Sequence, residues 1–173
     1  MRKIAIITLN DNNNYGNRLQ NYAVQFILRT LNCDCETIAN ISRLNAIDYK
    51  IKHLLKYICK VRYRRFICYN NNIKFSRFKV DNSEILEKNK MKKIESSYDY
   101  FIVGSDQVWN PTLKRFSEFE LLPYIEKGKR ISFAASFGIS KLPDKFKLIF
   151  NEQLMQFKAI SVRENEGKKI IEN

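Results

Sequence analysis

Residues Ile4–Leu9 read IAIITL, an unbroken apolar run closed by the polar stretch NDNNN. A short run without polar alternation fits a strand buried on both faces, as in parallel sheets covered by helices, rather than a strand with one wet face. The segments after it agree with that class. From Asn17 to Leu31, Leu19, Tyr22, Ala23, Phe26, Ile27 and Thr30 recur at helical spacing and Asn17 suits an N-cap, so a helix with that apolar stripe is predicted. CETIAN (Cys35–Asn40) supplies a second strand and closes a βαβ unit, which favours a right-handed crossover and parallel pairing. Further strands are predicted at Tyr100–Val103, ending in Gly104, within Lys129–Gly138, and within Lys158–Glu164. Helices are predicted to begin near Pro143 and Asp144 and again in ENEGKKIIEN. The alternation predicts an α/β chain: a Rossmann-like, doubly wound parallel sheet over residues 1–173, with a helical basic insertion at about 43–95.

Length and composition place this pattern in one domain. A chain of 173 residues is long enough for a real core and short for two ordinary domains, and 45% apolar residues with five glycines exclude disordered and fibrous classes. The N-terminal apolar run is too short for a signal peptide, and no stretch has the roughly 18 apolar residues of a membrane span. Cys33, Cys35, Cys59 and Cys68 lack zinc-ligand spacing, so reduced thiols in a cytoplasmic protein are expected, with no metal and no cofactor.

The net charge of +13 is concentrated: Arg43–Lys93 holds 15 Lys and Arg against four acids. Apolar residues at Ile51, Leu54, Leu55, Ile58, Val61 and Phe66 suggest amphipathic helices with a cationic face. Such a face suits phosphates or peripheral contact with an anionic membrane, and equally a solvated or subunit-contacting surface. Nucleic acid is not the expected partner.

In an open parallel sheet, ligands collect beyond the carboxyl ends of the strands, where NDNNNYGN, GSDQVWNP, SFG and RE all fall. The first loop offers Asn14, Tyr15, Gly16, Asn17 and Gln20 beside a helix start, with Arg18 close by, which would suit an anion. It matches neither GxGxxG nor a Walker loop, and the alternative is a turn at Gly16 with a cap at Asn17. In the second loop Asp106 suits a base or a hydroxyl-orienting group, and Ser105, Gln107 and Asn110 suit hydrogen bonds. Trp109 suits a sugar face, and the alternative is capping by Ser105 and Asp106 with Trp109 in the core. Ser136 lies in the third loop. Arg163 suits a carboxylate or phosphate, or else a salt bridge to Glu164 or Glu166. His53, the single histidine, lies in the basic segment, so no Ser/His/Asp triad is available.

NYGNRLQNYAVQ, FIVGSDQVWNP, ISFAASFG and AISVRE, in this order, resemble the N-terminal half of the polysaccharide pyruvyl transferase family. The resemblance implies the N-terminal lobe of a fold similar to GT-B glycosyltransferases, with the C-terminal lobe absent. It implies transfer of pyruvyl from phosphoenolpyruvate to two sugar hydroxyls as a ketal, in cell-surface polysaccharide synthesis. The implied partners are phosphoenolpyruvate, a saccharide acceptor, and a second lobe or another copy of the chain. On this reading Asp106 and Arg163 carry catalytic roles, and the remaining loop residues bind substrate. A non-catalytic glycan- or phosphate-binding module stands as the alternative, and enzymatic activity of these residues alone is left open.

Overall fold

A computed structural model describes residues 1–9, 14–38, 82–83 and 94–172. Most of the basic insertion, including His53, Cys59 and Cys68, lies outside the described residues. The chain runs β1 (Arg2–Ile7), α1 (Tyr15–Thr30), β2 (Cys33–Ile38), β3 (Asn82–Ser83), β4 (Tyr100–Val103), a 3-10 turn (Glu118–Leu121), β5 (Arg130–Ala135), α2 (Asp144–Leu154), β6 (Phe157–Val162) and α3 (Asn165–Glu172). The strands form one six-stranded sheet in the order β3-β2-β1-β4-β5-β6, and every pairing is parallel. The chain winds outward from β1 in one direction and from β4 in the other, which is the expected doubly wound α/β arrangement. The expected helical insertion is corrected at one point. Residues 82–83 pair with Thr37 and Ile38 as a strand, too short for any periodicity to announce it.

The apolar run of β1 is explained by two cores, one on each face. Ile4 and Ile6 pack with Val24, Leu28, Cys35 and Ile102 on the α1 side. Ala5 and Ile7 pack on the other, larger core with Phe101, Val103, Trp109, Phe119, Phe137 and Phe150. Arg130 borders that second core: its guanidinium donates to the carbonyls of Ile125 and Pro123 and to Gln153 Oε1, at 2.6, 3.3 and 2.9 Å. It thereby ties the loop before β5 to α2. Burial pushes its pKa down, but a guanidinium keeps its proton in any protein environment.

α1 departs from its predicted cap and orientation. Its N-cap is Asn14, whose Oδ1 accepts from Gly16 N at 2.8 Å, whereas Asn17 is buried inside the first turn. The face turned to the sheet is partly polar: Asn21 and Gln25 are buried there beside Val24 and Leu28, and Asn17 and Arg18 are buried in the first turn. The reason is a buried network on β2. Thr37 Oγ1 donates to Asn21 Oδ1 (2.7 Å) and accepts from Gln25 Nε2 (2.9 Å), and Arg29 Nη2 donates to Gln25 Oε1 (3.1 Å). The apolar stripe therefore points outward, with Leu19 57%, Phe26 56% and Ile27 42% exposed.

At the carboxyl edge, β5 bulges between Ser132 and Ala135, and Ala134 adopts φ 51°. The bulge sets the Phe133 carbonyl against Gly104, where a β-carbon would overlap that oxygen. Gly104→Ala is expected to destabilise the fold by about 3 kcal/mol or more, because backbone atoms must move. Thr37→Val should cost about 1–3 kcal/mol by removing two buried hydrogen bonds. Urea denaturation midpoints with unchanged slopes would check both.

Candidate active site

Between β1 and β4 the winding direction reverses, and in such sheets the crevice beyond the strand ends at this point is where ligands bind. Gln20 joins the walls of the crevice: its Nε2 donates to Gly104 O at 3.2 Å, and its Oε1 accepts from Thr8 Oγ1 at 3.4 Å. Asn14, Tyr15 and Gly16 lie exposed at the entrance of α1. Asn17 and Arg18 are buried there, only 5% and 4% exposed.

The loop after β4 is stitched to the loop after β5. Ser136 N donates to Ser105 O (3.2 Å), and Trp109 N donates to Ser136 O (3.0 Å). Gln107 at φ 52° rests against Gly138 at φ 61°; a β-carbon on Gly138 would lie 2.6 Å from Gln107 Cγ, so glycine is needed there for space as well as for conformation. This tight turn holds Asp106 outward at the end of β4.

Trp109 does not join Asp106 there. It is fully buried, packed against Phe137 and Phe157 with ring centroids 5.4 and 5.6 Å away, and its Nε1 donates to Glu120 O at 3.0 Å. The expected sugar-stacking role is corrected to a core role: the indole offers no open face. Asn110 is also buried, its Oδ1 taken by Thr112 N and Thr112 Oγ1. Ser105 and Ser136 are buried as well, and the Ser105 hydroxyl has no hydrogen-bond partner.

Arg163, directly after β6, reaches across to Asp106, with Nη2 2.6 Å from Oδ1. The two side chains are 54% and 57% exposed, so the ion pair is worth at most about 1 kcal/mol. Glu164 is the residue whose weight sequence reasoning missed. Its Oε1 accepts from Ser136 Oγ (3.1 Å), Phe137 N (2.7 Å) and Gly138 N (3.0 Å), so one carboxylate oxygen anchors the whole SFG loop. Its Oε2 is buried without a hydrogen-bond partner and lies 3.9 Å from Arg163 Nε. An acid directly after a predicted strand, level with a loop whose amides have left their own strand, is the signal that could have revealed this anchor.

The structure thus assembles Asp106, Arg163 and Glu164 at the ends of β4 and β6. A cavity of about 620 Å³ between α2, β6 and α3 is lined by Leu142, Phe150, Leu154, Ile160 and Ile170 among others, and none of that polar cluster lines it. Among the described residues no group of three or more His, Cys, Asp or Glu could hold a metal ion. None of the described helices is long and apolar enough to cross a membrane.

Glu164→Ala should lower stability by about 2–4 kcal/mol through three lost hydrogen bonds to a carboxylate, and Arg163→Ala by no more than about 1 kcal/mol. Thermal or urea unfolding of the two variants side by side checks this contrast. No curated protein and no solved structure matches this chain significantly. The family model for polysaccharide pyruvyl transferase matches residues 14–173, which takes in α1, the Asp106 turn, the loop held by Glu164, and Arg163. With the parallel sheet and this polar edge in place, the chain belongs to the polysaccharide pyruvyl transferase family.

Proposed function

We propose that these residues form the acceptor side of a transferase that moves pyruvyl from phosphoenolpyruvate onto two hydroxyls of a saccharide, giving a ketal and phosphate in cell-surface polysaccharide synthesis. Family membership supports the reaction class. The observation that carries the assignment of this edge is the outward Asp106 carboxylate, held by Arg163 at the open end of the sheet.

The chemistry asks for what Asp106 can offer. The donor methylene takes a proton, and its neighbouring carbon becomes oxocarbenium-like. One acceptor hydroxyl adds there and a second replaces phosphate, each releasing a proton, while the phosphate departs with the bonding electron pair. Asp106 accepts the proton of an incoming hydroxyl, and Arg163 fixes the angle at which the carboxylate meets it. Asn14 and Tyr15, exposed beside the crevice, orient the saccharide, and Gln107 and Gly138 shape the turn that presents Asp106. Cytoplasmic residence fits the chemistry and the free thiols of Cys33 and Cys35.

A second reading is a module that binds a saccharide without transferring pyruvyl, for which the exposed Asn14, Tyr15 and Asp106 offer groups that hydrogen-bond hydroxyls.

Incubation of the chain with phosphoenolpyruvate and candidate saccharides, followed by phosphate release, separates the readings. Release that Asp106→Asn slows by roughly 10²–10⁴-fold, with unfolding midpoints unchanged, is the expected outcome. Saccharide binding without any release favours the binding module. Release at the wild-type rate in Asp106→Asn removes Asp106 from the reaction.

A further inference from the structure

Arg163 is the residue at this edge that a phosphate or carboxylate would seek, yet its surroundings oppose such a ligand. One guanidinium lies between two carboxylates, with Asp106 Oδ1 at 2.6 Å and Glu164 Oε2 at 3.9 Å, so the group of three carries net negative charge. We infer that Glu164 is the specificity-determining residue of the crevice, which it reserves for an uncharged, hydroxyl-bearing ligand by keeping anions off Arg163. The inference rests on reading this edge as the acceptor side, and deepens it.

The two carboxylates differ in freedom. Asp106 is more than half exposed, and a ligand can displace it. Glu164 cannot swing away, because its Oε1 is committed to Ser136 Oγ, Phe137 N and Gly138 N, and its side chain is only 23% exposed. Among the described residues its Oε2 is buried and meets no hydrogen-bond donor, and it lies 3.9 Å from Arg163 Nε, so the carboxylate stays fixed beside the guanidinium. An anion that displaced Asp106 from the guanidinium would still sit beside this fixed carboxylate and be repelled at short range. A neutral hydroxyl donating to Asp106 meets no such penalty. The selection therefore belongs to the rigid acid rather than to the mobile one, and the donor's phosphate and carboxylate must be held by other groups.

The test is calorimetric titration of the full chain with inorganic phosphate and with phosphoenolpyruvate. Glu164→Gln keeps an amide oxygen to accept the three loop hydrogen bonds and deletes the charge. It should bind phosphate roughly tenfold more tightly than the wild type, and the gain should vanish in the Arg163→Ala/Glu164→Gln double variant and weaken with added salt. Phosphate affinity that Glu164→Gln leaves unchanged would overturn the inference. Arg163→Ala in the otherwise wild-type chain gives an answer even if Glu164→Gln fails to fold. Unchanged phosphate affinity supports the inference, and a clear loss shows that Arg163 already takes anions and refutes it. These results are independent of turnover: absent phosphate release alongside the tenfold gain would end the transferase reading and leave the charge selection standing.

Discussion

The Phe133 carbonyl lies where a side chain on Gly104 would begin, and the carboxyl edge of the sheet is organised around that contact. Because residue 104 has no β-carbon, β5 can bulge toward β4 as it ends. Ala134 takes a left-handed φ of 51° in the bulge, a conformation unfavourable for a residue with a β-carbon and maintained by its surroundings. Beyond it Ser136 exchanges backbone hydrogen bonds with the turn that carries Asp106. A methyl group at residue 104 would separate the two loops, and with them the groups that meet at the crevice.

That edge combines a rigid frame with movable charges. Three donors converge on one oxygen of Glu164, while Asp106 and Arg163 extend half into solvent from fixed backbone positions. Such a division suits a transferase of this family. In the proposed reaction the frame would set where charge sits before substrate arrives, leaving little reorganisation for the chemical step. The exposed pair can exchange its mutual contact for contacts to a ligand at small expense, since its own strength is low.

Much of this was legible in the sequence, for physical reasons that differ from one element to the next. β1 could be read because burial on both faces leaves no room for polar residues, and the order of strands and helices then led to the doubly wound sheet. The positions of Asp106 and Arg163 just past strand ends could be read, but their ion pair could not, since the sequence offered Arg163 only Glu164 or Glu166 as acidic partners. Trp109 could not be resolved between ligand and core, since an indole with one hydrogen-bond donor suits both until Glu120 O is found beside it. Glu164 passed as an ordinary ion-pair partner because its three donors come from residues 26 to 28 positions earlier, a relation no local pattern encodes. β3 left no trace, two residues being fewer than one repeat of strand alternation needs.

α1 misled for the most instructive reason. Periodicity locates a helix's apolar side but does not say that this side faces the sheet, and here the hydroxyl of Thr37 decides otherwise by engaging Asn21 and Gln25. During folding the helix has two ways to meet the strands. Rolling Leu19 and Phe26 inward would bury more hydrocarbon, and rolling Asn21 and Gln25 inward satisfies a hydroxyl that would otherwise be stranded in the core. A single oxygen on β2 thus acts as an arbiter of rotation. It also sets which residues of α1 turn outward near the carboxyl edge of the sheet, a choice made by one atom on β2.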